Sequence, residues 1–387
     1  MTEEKGVYTR ALYTAATKGL AKSGVTQRAE QAAIITGKLN ALVDPAGFDV
    51  IRLSLPRVGE VEVENGVKGI TYYELLIGAP MSIETRVDTT GSMGGNVDVA
   101  MRVLPDAFES WSKVLKGYDL QIATGIFGDR LDTFPLCRPQ FEMEVEKIVE
   151  QLTLMVPLKA GGDEAEDPDF GIFAGAYLTR AYINRIGFKR YDFTVTDAPG
   201  RGQIARKELE QIFGDEVFVK VEENGFDNIG HRGPIQLMDV WGDLTEQAHA
   251  FVLQVGDREF TADWWRKIVG NRLVQLPNTE CLPLVQAAII GLTEGTLTLD
   301  GVEEFLVTFN RSGEEAREIV DSLSKIPVGE QKQLLNAQYL PVKGDIFAGK
   351  PNVWTDENIF PQEAGATGKQ ADVEVDAEVD DDDDGWV

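Results

Sequence analysis
The chain has 387 residues, 43% of them hydrophobic and 26% charged, which suits one large α/β domain with extensions, or two domains, around a full core. Its formal net charge of −27 repels nucleic-acid phosphates and argues against direct DNA or RNA binding. No run approaches the ~18 apolar residues of a membrane span, and the charged start from Met1 to Gly6 lacks a signal-peptide pattern. Cys137 and Cys281 are too few for a disulfide scaffold, so reduced thiols in a cytoplasmic protein are expected.

In chain order, residues 7–43 read as two helices. Tyr8, Leu12, Ala15 and Leu20 form an apolar stripe, Ser23-Gly24 breaks it, and Thr26 caps a second helix through Leu42. From Phe48 the period shifts towards two, and Asn65-Gly66 marks a hairpin between 61–63 and 70–76. Residues 1–79 therefore read as a helix-plus-hairpin extension. The stretch 81–87 reads as a strand, but Ser82, Glu84 and Arg86 alternate with its apolar residues. Central parallel strands are usually apolar on both faces, so the N-terminal extension is expected to cover the polar face, with Glu84 and Arg86 paired.

Helical patterns follow from Val97 and again after Pro105. Strands are predicted at 120–127 and 132–136, and helices at 142–154 and 168–186. Phe170, Phe173, Ala174, Tyr177, Leu178 and Ala181 are the inward positions of the second of these helices. A strand at 191–196, a helix at 203–213 and a short strand at 217–221 lead into an irregular stretch, 222–243. A strongly apolar strand at 248–255, a helix at 261–269 and a strand at 272–276 complete the alternation. It predicts a doubly wound, mostly parallel central sheet flanked by helices over 80–277, whose ligands bind at the carboxyl ends of the strands. Residues 278–343 read as a C-terminal helical extension, with helices at 282–292 and 314–323. Residues 344–387 read as loop, then a disordered acidic tail.

The chemistry concentrates in Asp88-Thr89-Thr90-Gly91-Ser92-Met93-Gly94-Gly95. At a strand-to-helix turn the side chains of Asp88, Thr90 and Ser92 can converge, and the glycines permit the bend. An aspartate with two hydroxyls is a hard oxygen set that suits Mg²⁺, Mn²⁺ or Ca²⁺ better than Zn²⁺. The plain alternative is a helix N-cap cluster.

This turn resembles the metal-ion-dependent adhesion site of the von Willebrand factor A family. Gly161-Gly162-Asp163-Glu164-Ala165-Glu166 resembles the family's second metal loop in a bacterial form. Phe193-Thr194-Val195-Thr196-Asp197-Ala198-Pro199 resembles the strand that ends in its third-loop aspartate. The resemblance covers about half the chain. It implies Asp88, Thr90 and Ser92 as ligands, direct or through water, and Asp197 as a ligand or an acceptor beside them. Gly162 occupies the slot where the family commonly has a threonine, so Asp163 or a water substitutes. The implied cofactor is Mg²⁺, with Mn²⁺ or Ca²⁺ as alternatives, and the implied partner is a protein offering an Asp or Glu carboxylate. Relatives in bacteria and their viruses often serve as adaptors for AAA+ ATPases. Glu164 and Glu166 are expected near the site rather than on the metal, or on a solvated helix start.

Other signals are weaker. Gly344 to Lys350 has P-loop spacing, but Pro351 replaces the required hydroxyl. His231 reads as a loop residue and His249 as structural, so nucleophilic catalysis has little support and no enzyme is expected. A structural scaffold or a metal-assisted hydrolase remain as alternatives, with Arg201, just after the Asp197 loop, as the nearby cation. The tail, with nine carboxylates between Asp372 and Asp384, reads either as a solubilising segment or, ending in Trp386 and Val387, as similar in composition to the tails of single-stranded-DNA-binding proteins, which implies that those two residues anchor in a basic-rimmed pocket on a partner.

Overall fold
The computed structural model describes residues 41–43, 61–63, 67–69, 79–104, 107–116, 118–132, 135–138, 141, 165–179, 181–185, 187–230, 233–311 and 313–334. The chain divides into two units, 1–340 and 341–387, and all of these residues belong to the first. The helices expected before residue 41 and over 142–154, Asp163 and Glu164, His231, and the tail with Trp386 and Val387 lie outside the described residues.

The architecture is α/β, built on a seven-stranded sheet. Its strands are β1 (Ala41–Val43), β4 (Ala79–Asp88), β5 (Tyr118–Phe127), β6 (Leu136–Arg138), β7 (Arg190–Thr196), β10 (Ala248–Val255) and β11 (Leu273–Leu276). Two short ladders stand apart from it, β2 (Val61–Val63) with β3 (Val67–Gly69), and β8 (Gln203–Ile204) with β9 (Ile235–Gln236). The order β1-β6-β5-β4-β7-β10-β11 is parallel throughout except at β5–β6. The principal helices are α1 (Gly95–Val103), α2 (Ala107–Val114), α3 (Pro168–Phe173), α4 (Arg206–Phe213), α5 (Val217–Glu223), α6 (Leu237–Gln247), α7 (Glu259–Val269), α8 (Leu282–Glu294), α9 (Leu299–Val307) and α10 (Glu314–Leu323). No helix among the described residues is long and apolar enough to cross a membrane.

Several elements differ from their sequence reading. Ala41–Val43 is a strand, where a helix is expected through Leu42, because β6 offers it a parallel ladder. The hairpin partner of 61–63 is Val67–Gly69 rather than 70–76. The β-branched run at 217–221 is helical, since both edges of β7 are taken by β4 and β10, and Val217, Phe218 and Val221 bury one helical face instead. The stretch 222–243, expected to be irregular, contains β9 and most of α6.

The helix expected over 168–186 keeps its inward residues buried, but it widens into a π turn over Ala174–Leu178 and breaks at Thr179. Polar groups take the carbonyls there: Arg190 Nη2 donates to Gly175 O at 2.7 Å and Thr179 Oγ1 to Ala174 O at 2.9 Å. Inserted side chains are a known cause of such breaks.

The polar strand β4 is central after all. One face presents Met81, Ile83 and Val87 to the core, and there Gln286 of the wholly buried α8 donates to Thr85 Oγ1 at 2.8 Å. The other face carries Glu84 and Arg86, both 0% exposed and paired at 2.9 Å as expected. α3 and the π turn pack over them, Gly171 and Gly175 lying against Arg86, whereas the N-terminal segment expected there lies largely outside the described residues. Arg86 also binds Asp192 and, at 3.2 Å, Thr194; Arg138 binds Glu84 with contacts at 2.5 and 2.7 Å; Arg190 reaches Asp192 at 2.8 Å. Although burial works to raise it, Arg138 and Arg86 hold the Glu84 carboxyl far below the usual range.

Gly171 permits this packing. A Cβ there would lie 2.6 Å from Arg86 Cδ and 2.9 Å from its Nε. Gly171→Ala should therefore destabilise by roughly 1–3 kcal/mol through overpacking, although alanine is the better helix former by ~1 kcal/mol. A raised melting temperature would show that Arg86 yields easily.

Candidate metal centre
The site is built at the carboxyl ends of the central strands β4 and β7. Asp88 closes β4, and both the amide and the hydroxyl of Thr89 donate to Phe127 O at 2.9 Å, which pins the turn to the end of β5. The chain then turns through Gly91–Met93 into α1, and Gly94 takes φ 51°, ψ −125°, a conformation effectively reserved for glycine. Further on, Thr279 Oγ1 donates to Asn96 Oδ1 at 2.9 Å and ties down the start of α1.

The residues singled out in sequence converge. Asp88 Oδ1 accepts from Thr90 N at 2.9 Å and from Thr90 Oγ1 at 2.7 Å. Thr90 Oγ1 lies 3.3 Å from Ser92 Oγ, and Ser92 Oγ donates to Asp197 Oδ1 at 2.7 Å. Asp88 and Asp197 thus face one another across two hydroxyls whose protons are spent on the carboxylates, leaving hydroxyl lone pairs to offer. Asp88 and Thr90 are buried, Asp197 nearly so, while Ser92 is exposed and marks the open side of the crevice. Asp163, the remaining ligand candidate, lies outside the described residues.

Two further residues, Thr196 and Glu166, complete the oxygen set, and a third, Arg258, stands at its edge outside it. Thr196 Oγ1 donates to Asp88 Oδ2 at 2.6 Å and accepts from Ala198 N at 3.1 Å, so it holds both strand ends together. Its position beside Asp197 was the only signal for it. Glu166, undecided between site and solvated helix start, is 2% exposed, and its Oε2 has no hydrogen-bond partner among the described residues. Arg258, at the start of α7, places Nη1 3.6 Å from Asp197 Oδ2. Arg201, the cation expected just after the Asp197 loop, is instead committed to Asp129 and Asp167 at 2.5 and 3.0 Å. Two further bonds hold the Asp197 loop, Trp265 Nε1 to Ala198 O at 3.0 Å and Thr261 Oγ1 to Asp197 O at 3.3 Å.

Burial and crowding of acids govern the electrostatics. Burial pushes Asp88 up to about 6 against the hydrogen bonds from Thr196 and Thr90, and Asp197 adds to the rise. Burial likewise pushes Glu166 up to about 8, helped by the charges of Asp88, Asp129 and Asp167. Such acids are short of positive charge. The donor set fits a hard divalent cation: two carboxylates, two hydroxyls, and beside them an unpartnered carboxylate oxygen. Among the described residues no three His, Cys, Asp or Glu side chains gather as a ligand cluster; this set relies on hydroxyls instead. A cavity of about 820 Å³ lies elsewhere, between α7, β11 and α10.

Asp169, close behind the site, is fully buried and accepts from the amides of Arg201 at 3.0 Å and Gly202 at 3.3 Å. Burial pushes it up to about 7. Between its ordinary value near 4 and 7, the folded chain holds a proton that the unfolded chain has released, so stability falls as pH rises through that window. Asp169→Asn should make that slope shallower and raise stability at pH 8. Denaturant melts at pH 5 and pH 8 check this, and unchanged slopes would refute it.

No family model matches the chain, and no curated protein matches it. Among solved structures, the pilus adhesin SpaC from Lactobacillus rhamnosus GG is similar over 55% of this chain and 31% of the adhesin, at 12% identity and a TM-score of 0.34. Its open conformation gives the same identity and TM-score over 30% of the adhesin. The chain thus spans less than a third of that protein's length.

Proposed function
We propose that the chain is a von Willebrand factor A-like interaction protein that binds a divalent cation, Mg²⁺ first, and through it a carboxylate on a protein partner. The observation that carries this is the convergence of Asp88, Thr90 and Ser92 of one turn with Asp197 of another, exposed at Ser92. A bound cation would supply a Lewis-acidic coordination position for an outside oxygen. Thr90 and Ser92 would offer neutral lone pairs, and Asp88 and Asp197 would orient those hydroxyls by accepting their protons. Neutral ligands leave a cation under-neutralised, which favours an acidic group from outside. Glu166 would add charge from behind Thr90. An adaptor role, with an AAA+ ATPase among the partners, follows the resemblance.

The test is calorimetric titration of Mg²⁺ and Mn²⁺ into the full chain, followed by partner capture with and without chelator. Expected are saturable heat from the cation and capture that chelator abolishes. Mg²⁺-dependent turnover of a phosphate ester, lost in Asp88→Ala, would overturn the non-catalytic reading.

A further inference from the structure
The crevice has a rim, and its chemistry points outward. β5 and β10 flank β4 and β7, so the loops that follow them stand on opposite sides of the crevice, about 14 Å apart at ~4.8 Å per strand. After β5, the turn from Asp129 to Asp132 presents Leu131, 85% exposed. The turn is stiff: Asp129 Oδ1 accepts the Leu131 amide at 2.7 Å, Asp132 Oδ2 accepts the Asp129 amide at 2.9 Å, and Arg201 grips Asp129 Oδ2 at 2.5 Å. After β10, α7 opens with Arg258 and Phe260, the latter 68% exposed. That end is fixed to the site itself through Thr261 and Trp265.

Isolated exposed apolar side chains are ordinary. These stand on braced turns either side of a candidate centre, with the Arg258 guanidinium on the Phe260 side. A bare cation gains nothing from Arg258, which opposes its charge. An incoming carboxylate does gain, since one oxygen can go to the cation and the other to the arginine. Braced apolar side chains add binding area with little ordering cost.

We propose that Arg258, Phe260 and Leu131 form the specificity rim of this centre, selecting a partner segment in which an aspartate or glutamate is flanked by bulky apolar side chains. This rests on the cation-centre reading. The test is an array of Xaa-Asp-Xaa peptides in Gly/Ser flanks, with Xaa as Leu, Phe, Gly or Lys and Asn in place of Asp as control. It is probed with the full chain in Mg²⁺ and in chelator. Cation uptake by wild type, Arg258→Ala, Phe260→Ala and Leu131→Ser is measured separately by Mg²⁺ calorimetry. Expected is Mg²⁺-dependent retention of the Leu and Phe peptides, lost with Asn. Arg258→Ala and Phe260→Ala should each weaken retention about tenfold, with Mg²⁺ affinity no weaker than wild type. Retention indifferent to the flanks, no retention by Mg²⁺-loaded protein, or variants equal to wild type would each overturn the rim. If wild type takes up no Mg²⁺, the cation centre itself fails and the rim falls with it.

Discussion

Replacing Asp88 should abolish cation binding without unfolding the chain. Asp88 is the wholly buried carboxylate of the set and accepts from Thr90 N, Thr90 Oγ1 and Thr196 Oγ1. Asp88→Ala therefore removes a charge and disorders both hydroxyl-bearing loops. The expected loss in Mg²⁺ affinity exceeds the ~10–100-fold that follows loss of an outer partner at a metal site. Asp88→Asn separates chemistry from folding. It keeps the volume and an acceptor but removes an acid that burial already disfavours as an anion. Without cation it should melt at or above the wild-type temperature. Wild type should gain about 2.7 kcal/mol at a hundredfold excess of Mg²⁺ over its dissociation constant, and the variant nothing. A wild-type-like Mg²⁺ response in Asp88→Asn would refute the assignment.

The largest stability effect should come from the buried ion network on β4. Glu84→Ala leaves Arg138 and Arg86 facing each other without the carboxylate between them, all at 0–1% exposure. Removing one partner from a buried ion pair costs about 3–5 kcal/mol, a large part of the ~5–15 kcal/mol that stabilises a typical domain. Urea melts should show this loss. A double variant, Glu84→Leu with Arg138→Leu, should lose less than the sum of the single variants, because the second change relieves the charge stranded by the first. A loss below about 1 kcal/mol in Glu84→Ala would mean that the network is wetter than its burial indicates.

Legibility in the sequence followed the range of the forces involved. The Asp88, Thr90 and Ser92 turn was readable because its geometry is local: a strand end, a glycine at positive φ and alternate oxygens. Asp197 was readable because it follows directly on a predicted strand and the family resemblance marks the place. The pairing of Glu84 with Arg86 was readable from their spacing on one strand face. Arg138 and Arg190, which complete that network, were not, since they arrive from β6 and β7. Arg258 lies in β10's exit loop, well over a hundred residues from Asp88, and no period or motif announces it.

By itself, then, the sequence determined the α/β alternation, the apolar strand β10, and the oxygen-rich turn after β4. Each depends on contacts within a few residues, where propensity and side-chain period act. Only the tertiary structure decided that a charged strand could be central, that residues 217–223 would form a helix rather than a strand, that Glu166 would be buried, and that Arg201 would be spent while Arg258 faced Asp197. Those outcomes depend on which partners arrive across the sheet, because a buried charge or an unpaired strand edge is stable only when a distant part of the chain satisfies it.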